Sequence, residues 1–149
     1  VELINLPGNH DRQGAYALGK AIEFYYRNSK RVSVDSEYKN PWKYRTFYGN
    51  LVFFTHGSMT KSNIKTIAQR EARKAFGDSK VAEVHAGHYH HERVTEEGGV
   101  TIRYLRTLAN GGSWEKEQGY GGAQEVITSF VWSESGLDEI WYTKGRSDE

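Results

Sequence analysis

Three short stretches place nitrogen and oxygen donors where a sheet protein could use them. Asn9, His10 and Asp11 stand in succession after Pro7-Gly8, at the end of the apolar run Val1–Leu6. His56 ends the run Phe53-Phe54-Thr55 and is followed by Gly57, and Ala86-Gly87-His88-Tyr89-His90-His91 closes a third strand-like run. Sheet proteins commonly build sites beyond the carboxyl ends of their strands, and Pro7, Gly8 and Gly57 let the chain bend sharply there. Taken singly, each His reads as an ordinary surface or core histidine, and Asn-His-Asp reads equally as a cap for the helix that follows. Taken together, an Asn and several His on one rim form a donor set for divalent ions. Neutral imidazole suits Zn, Mn and Fe, while amide and carboxylate oxygens suit harder ions.

The elements that would position these groups follow from periodicity. Val1–Leu6 reads as a strand. Arg12–Asn28 reads as a helix with Ala15, Leu18, Ala21, Ile22 and Tyr25 on its buried stripe. Its N-terminus follows Asp11, so free amides and the positive dipole end would favour an anion near the site. Val32 and Val34 suggest a short edge strand. Tyr44–Tyr48 and Leu51–Thr55 alternate around a Gly49-Asn50 turn and deliver His56. Ser58–Phe76 reads as a helix, with Ile64, Ile67, Ala68, Ala75 and Phe76 inward and Gly77 as its C-cap. Val81–Ala86 is a strand delivering His88 and His90, which extended backbone would point the same way, with Tyr89 opposite. His85 and His91 stay outside the set, and Glu92 is a candidate acceptor for a ligand N–H. Arg93–Glu96 and Val100–Leu105 form a hairpin around Glu97-Gly98-Gly99, and Glu125–Trp132 and Leu137–Tyr142 form the last one. Asn110–Gly122, with Trp114 and Tyr120, reads as a long loop.

The ordered set Gly8-Asn9-His10-Asp11, His56-Gly57 and Gly87-His88-Tyr89-His90 resembles the second half of the calcineurin-like metallophosphoesterase signature. The resemblance runs over nearly the whole chain. It implies an α+β (α/β sandwich) fold of two β-sheets flanked by helices, in four layers, and hydrolysis of phosphate esters at a pair of divalent ions (Mn, Fe, Zn or Mg). Asn9, His56 and His88 would ligate one ion and His90 the other. His10 would act as general acid or electrostatic stabiliser at the leaving oxygen, and Asp11 would orient His10. Within the family, the run Gly87–Glu92, the stretch Gly119–Gln124 and Phe130-Val131-Trp132 are similar to phage-type phosphoesterases of the DNA repair exonuclease kind.

The chain also departs from the pattern. The family places Asp-x-His and Gly-Asp-x-x-Asp before Gly-Asn-His-Asp, which here begins at residue 8. Neither occurs later, since Gly77-Asp78 has Val81 where the second Asp belongs. The chain therefore reads as a single domain, 1–149, forming the C-terminal part of a metallophosphoesterase and lacking the N-terminal strands. An N-terminal half or partner subunit would supply the missing ligands. The expected activity is of the phosphodiesterase or nuclease type, on DNA or a nucleotide. The alternatives are a phosphomonoesterase on nucleotides or phosphoproteins, and a binding or assembly module that has lost its metals.

Composition sets outer bounds. The 149 residues suffice for one domain, polar at 37% hydrophobic with mean hydropathy −0.76, yet rich in aromatics. A formal charge of +1 gives no global nucleic-acid signature. Locally, Lys30, Arg31, Lys39, Lys43 and Arg45 interleave with Tyr38, Trp42 and Tyr44, which suits either phosphate contacts and base stacking or a solvated loop. With no Cys, any metal must use N and O donors. No long apolar run and no basic-then-apolar leader are present, so a cytoplasmic location away from the membrane is expected.

Overall fold

A computed structural model describes residues 1–58, 64–108 and 125–144. The sequence of elements is β1 (Glu2–Ile4), α1 (Arg12–Tyr26), β2 (Ser33–Asp35), β3 (Trp42–Phe47), β4 (Asn50–Thr55), α2 (Ile64–Glu71), α3 (Arg73–Asp78), β5 (Val81–Ala86), β6 (Arg93–Glu97), β7 (Val100–Tyr104), β8 (Val126–Ser133) and β9 (Gly136–Lys144). The main sheet has five strands in the order β3-β4-β5-β7-β6. Its inner strands β4, β5 and β7 are parallel, and antiparallel β3 and β6 close the edges.

Strand alternation divides this sheet into two unlike faces. On the first, Leu51, Phe53, Val84, Ala86, Val100 and Ile102 pack with Ile64, Ala68 and Ala72 into the core under α2 and α3. On the second lie Lys43, Arg45, Asn50, Glu83, His85 and Arg103, covered by two small sheets. Strands β1 and β2, a parallel pair, reach it through Glu2 and Asp35, which hold Arg45, while Asp35 also pairs with Lys43. The β8–β9 hairpin reaches it through Phe130 and Trp132, whose rings lie 4.2 and 6.4 Å from that of His85. Asn50 Nδ2 donates to the Ser133 carbonyl at 2.7 Å, tying the hairpin to β4. Helix α1 packs against β2 beyond this second layer, with Ser36 bonded to Glu23 and Lys20. Helix, sheet, sheet and helix thus follow one another, the four-layer α+β sandwich read from the sequence. No helix among the described residues is long and apolar enough to cross a membrane.

Several local expectations change. Helix α1 buries only part of its expected stripe: Ala15 is buried and Ile22 half-buried, but Leu18 is 57% and Tyr25 78% exposed, and Gly19 turns inward instead. Small residues win because the helix lies close to Asn5, whose Nδ2 donates to the Ala15 carbonyl at 2.7 Å. The β3–β4 turn is Tyr48-Gly49 rather than Gly49-Asn50, since both of the former have positive φ (51° and 79°) as a two-residue hairpin requires. That shift places Asn50 inside β4. The expected helix over 58–76 is two helices broken at Ala72 (φ −113°, ψ 32°), and Gly77 lies inside α3, which ends at Asp78 with Ser79 as its cap. The start of that expected helix, the glycine-rich loop with Gly119–Gln124, and the tail fall at 59–63, 109–124 and 145–149, outside the described residues.

Candidate metal and phosphate site

The sites of interest sit after β1, β4 and β5, all at carboxyl ends. Leaving β1, Pro7 and Gly8 are buried, and Asn9, His10 and Asp11 emerge exposed before α1 starts at Arg12. The Asp11 carboxylate stands over Gly8, so a side chain there would push it aside. Asp11 is the N-cap of α1 by its backbone, its carbonyl accepting from the Ala15 amide at 2.7 Å, and its side chain makes no capping bond.

After β4, His56 is held by a tight turn. Gly57 has φ 87°, and its amide donates to Thr55 Oγ1 at 3.2 Å. A Cβ there would lie 3.2 Å from the Ala86 methyl, so glycine allows the β4 and β5 ends to approach. His56 Nε2 and Asn9 Oδ1 are 2.9 Å apart, a hydrogen bond in which the ring N–H donates. The His56 and His88 rings meet edge to face at 5.2 Å between centroids. Partial burial lowers the pKa of His56, and the imidazoles of His88, His90 and His10 lower it further, against an opposing pull from Asp11. His56 thus stands near His88, His90, His10 and Asp11, with Asn9 in hydrogen-bond reach.

His88 and His90 arrive there by a route the sequence reading did not foresee. Both have left-handed backbone, φ 75° and 57°, so the extended-strand reason for their sharing a direction does not hold. Non-glycine residues in this region are uncommon and concentrate at functional sites. Tyr89 between them does turn inward, packing on the core with its ring 5.0 Å from that of Tyr104. His91 is exposed and bonded to the Tyr89 carbonyl, and His85 is buried against Glu83. Glu92 accepts from the Tyr142 hydroxyl at 2.5 Å and faces Arg106.

A cleft of about 20 Å³, room for a single water or ion, opens beside Asn9 and His56 and is also lined by Arg12, Trp42, Gly57 and Ser58. Arg12, Trp42 and Ser58 were not singled out as site residues. The available signals were Arg12 directly after the Asn-His-Asp run and Trp42 after Asn40-Pro41. The basic cluster around them is less available than its sequence suggested. Lys43 is buried on Asp35, and Arg45 is engaged by Glu2 and Asp35.

The donor set passes a simple fit test for one divalent ion. Two neighbouring ligands at about 2.0–2.1 Å from a metal, at right angles, stand about 3 Å apart, and Asn9 Oδ1 and His56 Nε2 are 2.9 Å apart. With His56 biased toward its neutral form and His88 beside it, two imidazoles and an amide oxygen can turn toward one ion. A second ion has only His90 from the expected ligands. Among the described residues, no group of three or more His, Asp or Glu side chains is placed to hold a metal.

The chain matches no protein-family model and no curated protein sequence. Its fold is similar to the solution NMR structure of a Thermotoga maritima protein, with TM-score 0.50 and 14% identity over 96% of this chain and 80% of that one. A likeness at this identity speaks for the fold alone. A predicted phosphoesterase from Streptococcus pneumoniae aligns with TM-score 0.41 and 11% identity, over 95% of each chain. A single mutant of Vps29 from Entamoeba histolytica aligns with TM-score 0.44 and 13% identity, over 97% of this chain and 98% of its own. Likenesses of that size carry no weight for function.

Proposed function

We propose that this chain provides part of a metal-dependent phosphoesterase site of the phosphodiesterase or nuclease type. The observation that supports it most is the meeting of Asn9, His56 and His88 from separate strand ends, with amide oxygen and imidazole at coordination spacing. Asn9, His56 and His88 would hold one ion, and His90 would contribute to a second. Bound there, a divalent ion supplies charge for the phosphoryl oxygens and a lowered pKa for a bound water. His10, exposed at the rim, donates a hydrogen bond to the leaving oxygen. Arg12 and the amides opening α1 add positive potential on the cleft side, where a phosphate would sit. The carboxylates needed to hold a second ion against the first are absent from this chain, so turnover requires a further polypeptide segment carrying Asp-x-His and Gly-Asp-x-x-Asp.

A second reading, a binding or assembly module on the same fold, is favoured by the lack of a three-residue His/Asp/Glu metal group among the described residues. Metal content and hydrolysis of bis-p-nitrophenyl phosphate with added Mn²⁺ separate the two. The enzyme reading expects about one ion per chain, lost in His56→Ala, and hydrolysis once the missing segment is supplied, abolished by His10→Ala. No retained metal and no hydrolysis with that segment present would leave the module. Two ions and turnover by the chain alone would refute the incomplete-site argument.

A further inference from the structure

One helical turn from Arg12, which lines the cleft, stands an aromatic pair that the phosphoester chemistry does not use. Tyr16 follows Arg12 by one helical turn, so both lie on the same face of α1, about 6 Å apart along the axis. The Tyr16 ring meets that of Tyr38 with centroids 4.6 Å apart and planes tilted by 56°. Tyr38 belongs to the tight turn that leads into Pro41 and Trp42, two residues lining the cleft. That turn is fixed by its own polar groups. Glu37 accepts from the Lys39 and Asn40 amides at 2.8 and 2.7 Å, and Asn40 Oδ1 accepts from the Trp42 amide at 3.0 Å.

We infer that Tyr16 and Tyr38 form a subsite for the nucleobase of a nucleotide ester whose phosphate lies at the open mouth of the neighbouring cleft. The inference rests on the phosphoester reading and names its substrate class. Two properties carry it. The pair is accessible, with Tyr16 42% and Tyr38 39% exposed, so ring surface remains for a planar ligand after the rings have packed on each other. It also lies near positive charge, since Arg12 on the same helix face lines the cavity beside Asn9 and His56. Basic charge with adjacent aromatic faces is the combination that binds nucleotides without reading a particular base. The pinned turn holds Tyr38 in place before the ligand arrives, which reduces the ordering cost of binding. An exposed tyrosine alone is ordinary on any surface; here two pack together one helical turn from Arg12.

The test measures binding of AMP, ribose 5-phosphate and adenosine to the full chain with Mn²⁺ by calorimetry, for wild type, Tyr38→Ala and Tyr38→Phe. AMP should bind roughly tenfold or more tighter than ribose 5-phosphate, as expected for one base stacked on an aromatic side chain. Tyr38→Ala should bring that ratio toward one, and Tyr38→Phe, which keeps the ring, should preserve it. If AMP and ribose 5-phosphate bind equally in wild type, the nucleobase subsite is wrong and the phosphoester reading survives. If AMP and adenosine bind alike and depend on Tyr38 while ribose 5-phosphate does not bind, the subsite stands and the phosphate reading fails. Absence of AMP binding overturns the proposal.

Discussion

Replacing Glu83 by Gln removes one charge from the most deeply buried ionic group of the described fold. Glu83, His85 and Arg103 are 4%, 7% and 8% exposed, and Glu83 Oε1 accepts from both His85 Nε2 at 2.7 Å and Arg103 Nε at 2.8 Å. Phe130 lies over the pair, its ring 4.2 Å from that of His85 and 5.6 Å from the Arg103 guanidinium. Gln preserves the shape but leaves the guanidinium without its counter-charge under this lid. Breaking a buried pair in this way costs about 3–5 kcal/mol. With a urea m-value of about 1–3 kcal/mol/M for a small domain, the midpoint should fall by roughly 1–5 M. The double variant Glu83→Gln/Arg103→Met should recover part of the loss, because it leaves no unpaired charge. The acid limb supplies a second reading. Burial pushes the Glu83 pKa up, but the hydrogen bonds from His85 and Arg103 outweigh it and hold the carboxyl below its usual range. Its contribution is therefore whole above the unfolded value of about 4.3 and is lost as pH falls through the lower folded value. Urea midpoints measured from pH 6 down to pH 3 should show a shallower decline in Glu83→Gln than in wild type. A loss under about 1 kcal/mol at pH 7, with no recovery in the double variant, would refute the claim that this buried trio contributes a charge interaction of that size.

Gly57→Ala should cost about 2 kcal/mol in chemical denaturation, since φ 87° disfavours any Cβ and the methyl would crowd Ala86 at 3.2 Å; Mn²⁺ affinity should fall with it. Helical Gly→Ala changes ordinarily stabilise, and Gly14→Ala, with nothing within 4 Å of the new methyl, should add about 0.5–1 kcal/mol. Gly19→Ala should have the opposite sign, by about 1–2 kcal/mol, because the methyl would sit 2.5 Å from Asn5 Nδ2 and break its bond to Ala15. A pair of thermal melts decides between the signs. Asn50→Ala should lose about 1–3 kcal/mol by stranding the Ser133 carbonyl, and hydrogen exchange should then quicken in β8 before β4.

What the sequence made legible was the part governed by local rules. Alternation and turn residues located β3 through β9, and each strand-end histidine was visible as a polar residue closing an apolar run. The reading failed where tertiary packing overrode pattern. The apolar stripe of α1 holds at Ala15 but not at Leu18 and Tyr25, because Asn5 draws the helix in on its smallest residues. Glu83, His85 and Arg103 are polar positions of two strands, with no role legible in the sequence alone. They are inside because β8 and β9 cross that face, and the hint available was their shared period of two facing Phe130 and Trp132. Lys43 and Arg45 looked free to meet phosphate because the acidic partners, Glu2 and Asp35, are brought to them only by the β1–β2 pairing. The six candidate residues could be nominated from motif order. Their grouping depends on close approach at Gly57 and on backbone angles that no residue pattern encodes.

The two left-handed histidines set the site against the fold. Glycine at 88 or 90 would relieve backbone strain of about 1 kcal/mol or more, because it adopts such angles freely. His88→Gly should accordingly raise the unfolding midpoint, or at least not lower it, while weakening Mn²⁺ binding. Selection for stability alone would erode these positions, and selection for the site alone would maintain them. The loop after β5 is thus a place where the same substitution is a gain in one assay and a loss in the other.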